Sequence, residues 1–199
     1  MPSSRYNTIP YILEIVTRLR PRSILDIGIG YGKWGVLFRE YLDVWQVNKP
    51  YSEKTTEIIG IEAFAEYKNP VWEAYTDVLI GDINNHLGKF QNKTFDLLFL
   101  GDVIEHFEKE EGLRILEKVS HDNAIIVTPY QPLPQGNVYN NPYERHISSW
   151  TAEDFPDQDL NVEIIEHIQV ITYGNRFIDN PARKDSGTRT NSPEPVTAG

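Results

Sequence analysis

The residues best placed to do chemistry begin at Asp26. Asp26-Ile27-Gly28-Ile29-Gly30-Tyr31-Gly32-Lys33-Trp34-Gly35 joins the aliphatic run Ser23–Ile27 to an amphipathic stretch. Glycines at such a junction admit unusual backbone angles and let a ligand approach the main chain closely. Gly30-x-Gly32-x-x-Gly35 also fits the dinucleotide fingerprint, a pattern of low specificity by itself. Asp26 argues against that fit. A carboxylate at the strand end crowds a pyrophosphate, whereas it can order the loop around a ligand carrying a sulfonium and an amine. Further carboxylates close the later apolar runs. Glu62 follows Ile58–Ile61 and can accept both hydroxyls of a ribose, and Asp82, with Ile83 beside it, follows Val78–Ile80 and can accept from an adenine amine. Gly101-Asp102 ends the run Phe95–Leu100. Open parallel sheets bind ligands outside the carboxyl ends of their strands, so these residues are expected to converge.

Proton transfer has two candidates. His146 can take a proton from a hydroxyl or ammonium nucleophile near neutral pH, with Glu144 to orient it. His106, beside Glu105, is its rival. Both belong to sequence that also offers recognition groups. Residues 129–150 read PYQPLPQGNVYNNPYERHISSW, with four prolines and no apolar periodicity. A loop of that length inside a domain usually serves a site. Tyr130, Tyr139, Tyr143 and Trp150 are predicted to line a substrate surface for a polar ring or sugar, the alternative being a structural loop whose aromatics cover the sheet edge. Asp102 and Glu105 could supply oxygen ligands to a magnesium ion, but no ligand spacing is specific enough to assign a metal.

These groups need a frame. Ile12, Leu13, Ile15, Val16 and Leu19 recur at helical spacing up to Pro21, as do Trp34, Leu37, Phe38, Tyr41 and Leu42. Strands are predicted at Ser23–Ile27, 57–61, 78–80, 95–100 and 124–128, with helices at 71–75 and Lys109–Val119, where Leu113, Leu116 and Val119 should face inward. Such alternation implies an α/β fold with a parallel sheet and helices on both faces. Asn161–Tyr173 reads as strand throughout, and Gly174-Asn175 is predicted to turn it into Arg176–Ile178 as an antiparallel hairpin. Residues 1–178 therefore form one domain, and 179–199, rich in Pro, Gly, Ser, Thr and Asn, a flexible polar tail.

Composition excludes several classes. The chain has 199 residues and no cysteine, so thiol catalysis, disulfides and cysteine-bound metal are ruled out. A formal charge of −10 disfavours broad nucleic-acid binding. No apolar run approaches the length of a membrane span, and the chain is expected to be cytoplasmic.

Asp26-Ile-Gly28-Ile-Gly30-Tyr-Gly32, Glu62, Asp82 and Gly101-Asp102-Val103-Ile104-Glu105-His106-Phe107 together resemble the successive motifs of class I S-adenosylmethionine-dependent methyltransferases. The resemblance is to the branch acting on quinone precursors and sugars, and it covers residues 10–130. It implies a Rossmann-like, three-layer, seven-stranded sheet with an antiparallel last strand, and S-adenosylmethionine as cofactor. It further implies that the backbone of Gly28, Ile29, Gly30, Tyr31 and Gly32 meets the methionine part, Glu62 the ribose, and Asp82 with Ile83 the adenine, with Asp26, Gly101 and Asp102 completing the site. The expected reaction moves a methyl group to oxygen or nitrogen of a small polar acceptor. Two other classes stay open on the sequence: a non-catalytic module binding the cofactor or a partner, and a NAD-dependent oxidoreductase. The gap from Gly35 to Glu62 exceeds the ~20 residues expected in the latter.

Overall fold

A computed structural model describes residues 5–155 and 159–178. The tail expected at 179–199 lies outside the described residues. Seven strands form one sheet: β1 (Ser23–Ile27), β2 (Glu57–Glu62), β3 (Asp77–Ile80), β4 (Leu97–Gly101), β5 (Asn123–Pro129), β6 (Asn161–Ile165) and β7 (Ile168–Gly174). Their order is β3-β2-β1-β4-β5-β7-β6. The first five are parallel, whereas β7 runs antiparallel to both β5 and β6.

Burial on both faces explains why the central strands read as continuous apolar runs rather than alternating ones. Leu97 and Phe99 of β4 join the core on one face, Leu98 and Leu100 that on the other, all essentially inaccessible. Against the first face pack α1 (Ile9–Leu19), through Ile12 and Val16, and α2 (Lys33–Arg39), through Trp34 and Phe38. Against the second packs α3 (Lys109–Lys118), through Ile115 and Leu116. Leu113, expected inside, is instead 39% exposed, and Gly112 takes the buried position. The helix layers thin out elsewhere. The segment predicted as helix near 71–75 is a 3₁₀ turn, Pro70–Ala74, and two more short turns, Ile83–Asn85 and Leu87–Phe90, carry the chain from β3 to β4.

Beyond α2 the chain widens into a π-helical segment, Glu40–Trp45. That register aligns two fully buried charges, Arg39 and Asp43, as an ion pair. Arg39 also donates to the carbonyls of Ala74 and Thr56, and Asp43 accepts from the backbone N–H groups of Thr55 and Thr56. Every partner is satisfied within the fold, so the pair clamps α2 to the entry of β2.

The C-terminal hairpin is real but its turn is elsewhere. It lies at Glu166-His167, between β6 and β7, with Glu166 at φ +57°. Residues 175–178, predicted as the second arm, form a short helix, α4 (Asn175–Ile178). Among the described residues no helix is long and apolar enough to cross a membrane.

Candidate active site

The carboxyl ends of β1, β2, β3 and β4 open onto one cleft, lined by Gly28, Glu62, Asp82 and Asp102 among others, the place where open α/β sheets bind ligands. Its first wall is the glycine loop. Gly28 has φ +73°, and a Cβ there would come within 2.1 Å of Val103 Cγ2. Gly35, the last glycine of the apparent dinucleotide fingerprint, has a different reason to be small: a Cβ would meet the Tyr75 ring at 2.2 Å. Tyr75 is buried and links two parts of the loop. The Gly35 N–H donates to its hydroxyl at 3.0 Å, and that hydroxyl donates to Asp26 Oδ2 at 2.7 Å. Asp26 is 1% exposed and does not line the cleft. It therefore orders the loop from beneath rather than facing a ligand. Burial raises its pKa to about 7.

Glu62 fixes the same loop from the next strand. Its Oε2 accepts from Gly30 N–H at 2.8 Å and its Oε1 from Phe64 N–H at 2.9 Å. Each oxygen retains a second lone pair, so the carboxylate can hold the loop and still accept hydroxyls of a ligand. Burial pushes its pKa up, while those two N–H groups act in the opposite sense. Asp82 caps the following turn by accepting from Asn84 N–H at 2.8 Å, and Ile83 supplies an apolar wall beside it. Gly101 and Asp102 close the cleft at β4, with Asp102 at φ +56°, a left-handed conformation that only the surrounding fold sustains.

The structure thus brings together Gly28, Ile29, Gly30, Glu62, Asp82, Ile83, Gly101 and Asp102. Tyr31 and Gly32 stand just outside the cleft lining, and Tyr31 is half-exposed with its ring 5.0 Å from that of Tyr67.

The long loop after β5 divides. Tyr143 and Glu144 line the cleft with His106. Tyr130 and Tyr139 point to solvent, 45% and 64% exposed, and are not part of it. Trp150 is a correction of another kind. It is 1% exposed, donates from Nε1 to the Ile104 carbonyl at 3.0 Å, and packs so closely on Gly112 that a Cβ there would lie 2.7 Å from its ring. It is a core anchor, not a substrate surface.

That anchor determines where the histidines go. Ile147 and Ser148 donate their N–H groups to the Glu105 carbonyl at 3.0 and 3.1 Å, laying the loop against the segment after β4. The His106 and His146 rings consequently meet, with centroids 4.9 Å apart. Glu144 does not orient His146 as expected. His146 Nδ1 donates instead to the Leu133 carbonyl at 2.7 Å, and Glu144 Oε1 accepts from the Tyr67 hydroxyl at 2.8 Å. Burial lowers the pKa of both histidines, which favours neutral imidazoles at pH 7. Glu105, 2% exposed, is pushed up to about 8 by burial and by the charge of Asp102.

Several cleft residues stand outside the set expected from the sequence. Tyr67 sits in a 3₁₀ turn, and burial raises its pKa. Asn141, 1% exposed, caps the turn Pro142–Glu144 by accepting from Tyr143 N–H at 2.9 Å. Its Asn-Pro-Tyr context was a readable capping signal. Lys33 lines the cleft at the start of α2, where burial lowers its pKa against the opposing effect of Asp102.

No protein-family model matches this chain, and neither does any curated protein sequence. Solved structures do. A SAM-dependent methyltransferase from Archaeoglobus fulgidus superposes with a TM-score of 0.56 at 15% identity, over 84% of this chain and 94% of that one. The fold is that of the class I methyltransferases. An O-methyltransferase from Bacillus cereus, solved in complex with SAH, gives 0.55 at 12% identity over 87% and 83% of the two chains. A methyltransferase from Geobacter sulfurreducens gives 0.56 at 12% over 87% and 81%. On the class I methyltransferase fold, the described cleft occupies the position that open α/β sheets reserve for ligands, outside the strand carboxyl ends.

Proposed function

We propose that this chain is an S-adenosylmethionine-dependent methyltransferase that moves the methyl group to oxygen or nitrogen of a small polar acceptor. The observation that carries this is the convergence, in one cleft, of the Gly28–Gly30 backbone, Glu62 and Asp82–Ile83. Backbone groups of the loop suit the methionine part, the doubly accepting Glu62 carboxylate suits vicinal ribose hydroxyls, and Asp82 beside Ile83 suits an amine on an apolar ring. A NAD reading fits less well, because the acidic residue of the next strand, Glu62, lies farther beyond Gly35 than the ~20 residues that fingerprint expects.

The acceptor would enter where His106, Tyr143 and Glu144 close the cleft. The donor is already a sulfonium, so the protein's main task is to hold the nucleophile in line with the methyl carbon and the sulfur. Orientation of that kind lowers barriers by about 7–11 kcal/mol at best. The neutral His106 imidazole, which lines the cleft, supplies the lone pair that removing a hydroxyl or ammonium proton requires, worth roughly 10²–10⁴-fold. The methyl carbon then bonds to the acceptor, the C–S bond breaks, and both its electrons remain on sulfur as the neutral thioether.

A panel of phenols, sugars, amino sugars and amines, incubated with S-adenosylmethionine, tests this by the release of S-adenosylhomocysteine. Release above the acceptor-free blank with any class supports the enzyme. Tight cofactor binding with no release across the panel would make the chain a binding module instead.

A further inference from the structure

Glu105, His106 and His146 form a cluster that proton transfer alone does not explain. One ligand atom from each lies within 4.8 Å of the other two. The two imidazoles are prepared alike. His106 Nδ1 is 3.0 Å from the Arg145 carbonyl and His146 Nδ1 is 2.7 Å from the Leu133 carbonyl. A carbonyl only accepts, so each Nδ1 carries the proton and each Nε2 keeps its lone pair. Glu105 is prepared as well: Thr128 donates its hydroxyl to Oε2 at 3.0 Å, and Oε1 faces His146 Nε2 at 4.0 Å. A general base needs one oriented imidazole, yet here two imidazoles and a carboxylate are each held by an outer partner. Such outer hydrogen bonds are what fix metal ligands in place.

We propose that Glu105, His106 and His146 bind one divalent transition-metal ion, of the manganese-to-zinc series, at the acceptor end of the cleft. Two imidazole nitrogens favour these ions over Mg²⁺, which prefers an all-oxygen octahedron. First-row ions hold such donors at about 2.0–2.2 Å, so bringing the 4.0 Å pair onto one ion takes side-chain shifts of roughly 1 Å or less. His106 lines the cleft, so the remaining coordination positions open toward it. Asp102 lies close enough to act electrostatically on both Glu105 and His146, adding negative charge next to the ion.

The catalytic consequence rests on the methyltransferase reading; the site itself does not. With their Nε2 lone pairs on the ion the two imidazoles no longer act as bases, and a hydroxyl acceptor coordinated there loses its proton to solvent, because the ion stabilises the oxyanion. The oxygen lone pair then attacks the sulfonium methyl, and the C–S electrons leave on sulfur. This favours oxygen acceptors with a second oxygen able to chelate, such as vicinal diols and catechols, over simple amines.

The test uses the full chain without cofactor. Stripped protein is titrated with Co²⁺, following visible absorption and calorimetric heat, with a 100-fold excess of Mg²⁺ present in a parallel run. One ion per chain should bind, Mg²⁺ should not displace it, and His106→Gln and His146→Gln should each weaken it at least 10-fold while keeping the wild-type melting temperature. Should either variant fail to fold, paramagnetic shifts of the His106 and His146 ring protons in wild-type protein decide instead. Absence of Co²⁺ binding, equal affinity in folded histidine variants, or unshifted rings would overturn the site. Because no S-adenosylmethionine is present, failure here leaves the methyltransferase reading standing, and failure of cofactor binding leaves the metal site standing.

Discussion

Replacing Glu62 by alanine probes the junction of structure and ligand recognition. Its carboxylate accepts from the Gly30 and Phe64 N–H groups at 2.8 and 2.9 Å, and the side chain lines the cleft. Hydrogen bonds to a charged acceptor contribute about 1.5–3 kcal/mol. Losing the ribose-directed share alone should weaken S-adenosylhomocysteine binding roughly 10- to 150-fold. Two backbone donors also lose their partner, which should lower stability by about 1–3 kcal/mol for each that water cannot reach. Glu62→Gln should fall between wild type and alanine, since its amide offers one acceptor and sets an N–H₂ against one of the same donors. Calorimetric titration gives the affinity, and urea unfolding separates the loop's loss of order from loss of the ligand contact. Wild-type affinity in folded Glu62→Ala would refute the reasoning, because no geometry leaves both roles intact without the carboxylate.

Three further outcomes follow from the same geometry. Gly28→Ala should cost about 2–5 kcal/mol by urea unfolding, from left-handed strain and the clash with Val103, and should abolish cofactor binding in calorimetry. Trp150→Ala should cost about 3–5 kcal/mol in the same assay, whereas Tyr130→Ala and Tyr139→Ala should stay within about 0.5 kcal/mol of wild type. Asp26 titrates near 7 in the folded chain and near its ordinary 3.8 when unfolded, so the fold binds the proton more tightly. Its contribution is fully present below pH 4 and fades as the pH rises to about 7, by up to about 4 kcal/mol, and Asp26→Asn should flatten that part of the stability profile measured from about pH 4 to pH 8.

What the sequence revealed was mostly local. The strand–glycine–helix passage from Ser23 to Gly35 combines chemistry and periodicity in adjacent residues, and the structure keeps it nearly residue for residue. The carboxylates at Glu62 and Asp82 follow from the same logic of strand ends. The hairpin was harder. Glu166-His167 lacks turn residues, and its left-handed Glu166 is imposed by the pairing of β6 with β7, while Gly174-Asn175 looked like a better turn. Trp150 could have faced a sugar or a core, and only Gly112, 38 positions earlier on α3, shows that space was made for it inside. Tyr75 and Gly35 pose the same difficulty, since a glycine's reason can be a ring forty residues away. The meeting of Glu105, His106 and His146 rests on long-range bonds, the Glu105 carbonyl accepting two N–H groups of the loop and His106 Nδ1 donating to the Arg145 carbonyl. No local spacing encodes those contacts.

The central claim is that the cleft at the carboxyl ends of β1 to β4 takes the adenosyl and methionine parts of one cofactor. Parallel calorimetric titrations with S-adenosylmethionine, S-adenosylhomocysteine and NAD test it most directly. Micromolar binding of the first two at one site per chain, with no heat from NAD, is the predicted result. Binding of NAD alone would contradict the account and return the glycine loop to a dinucleotide role.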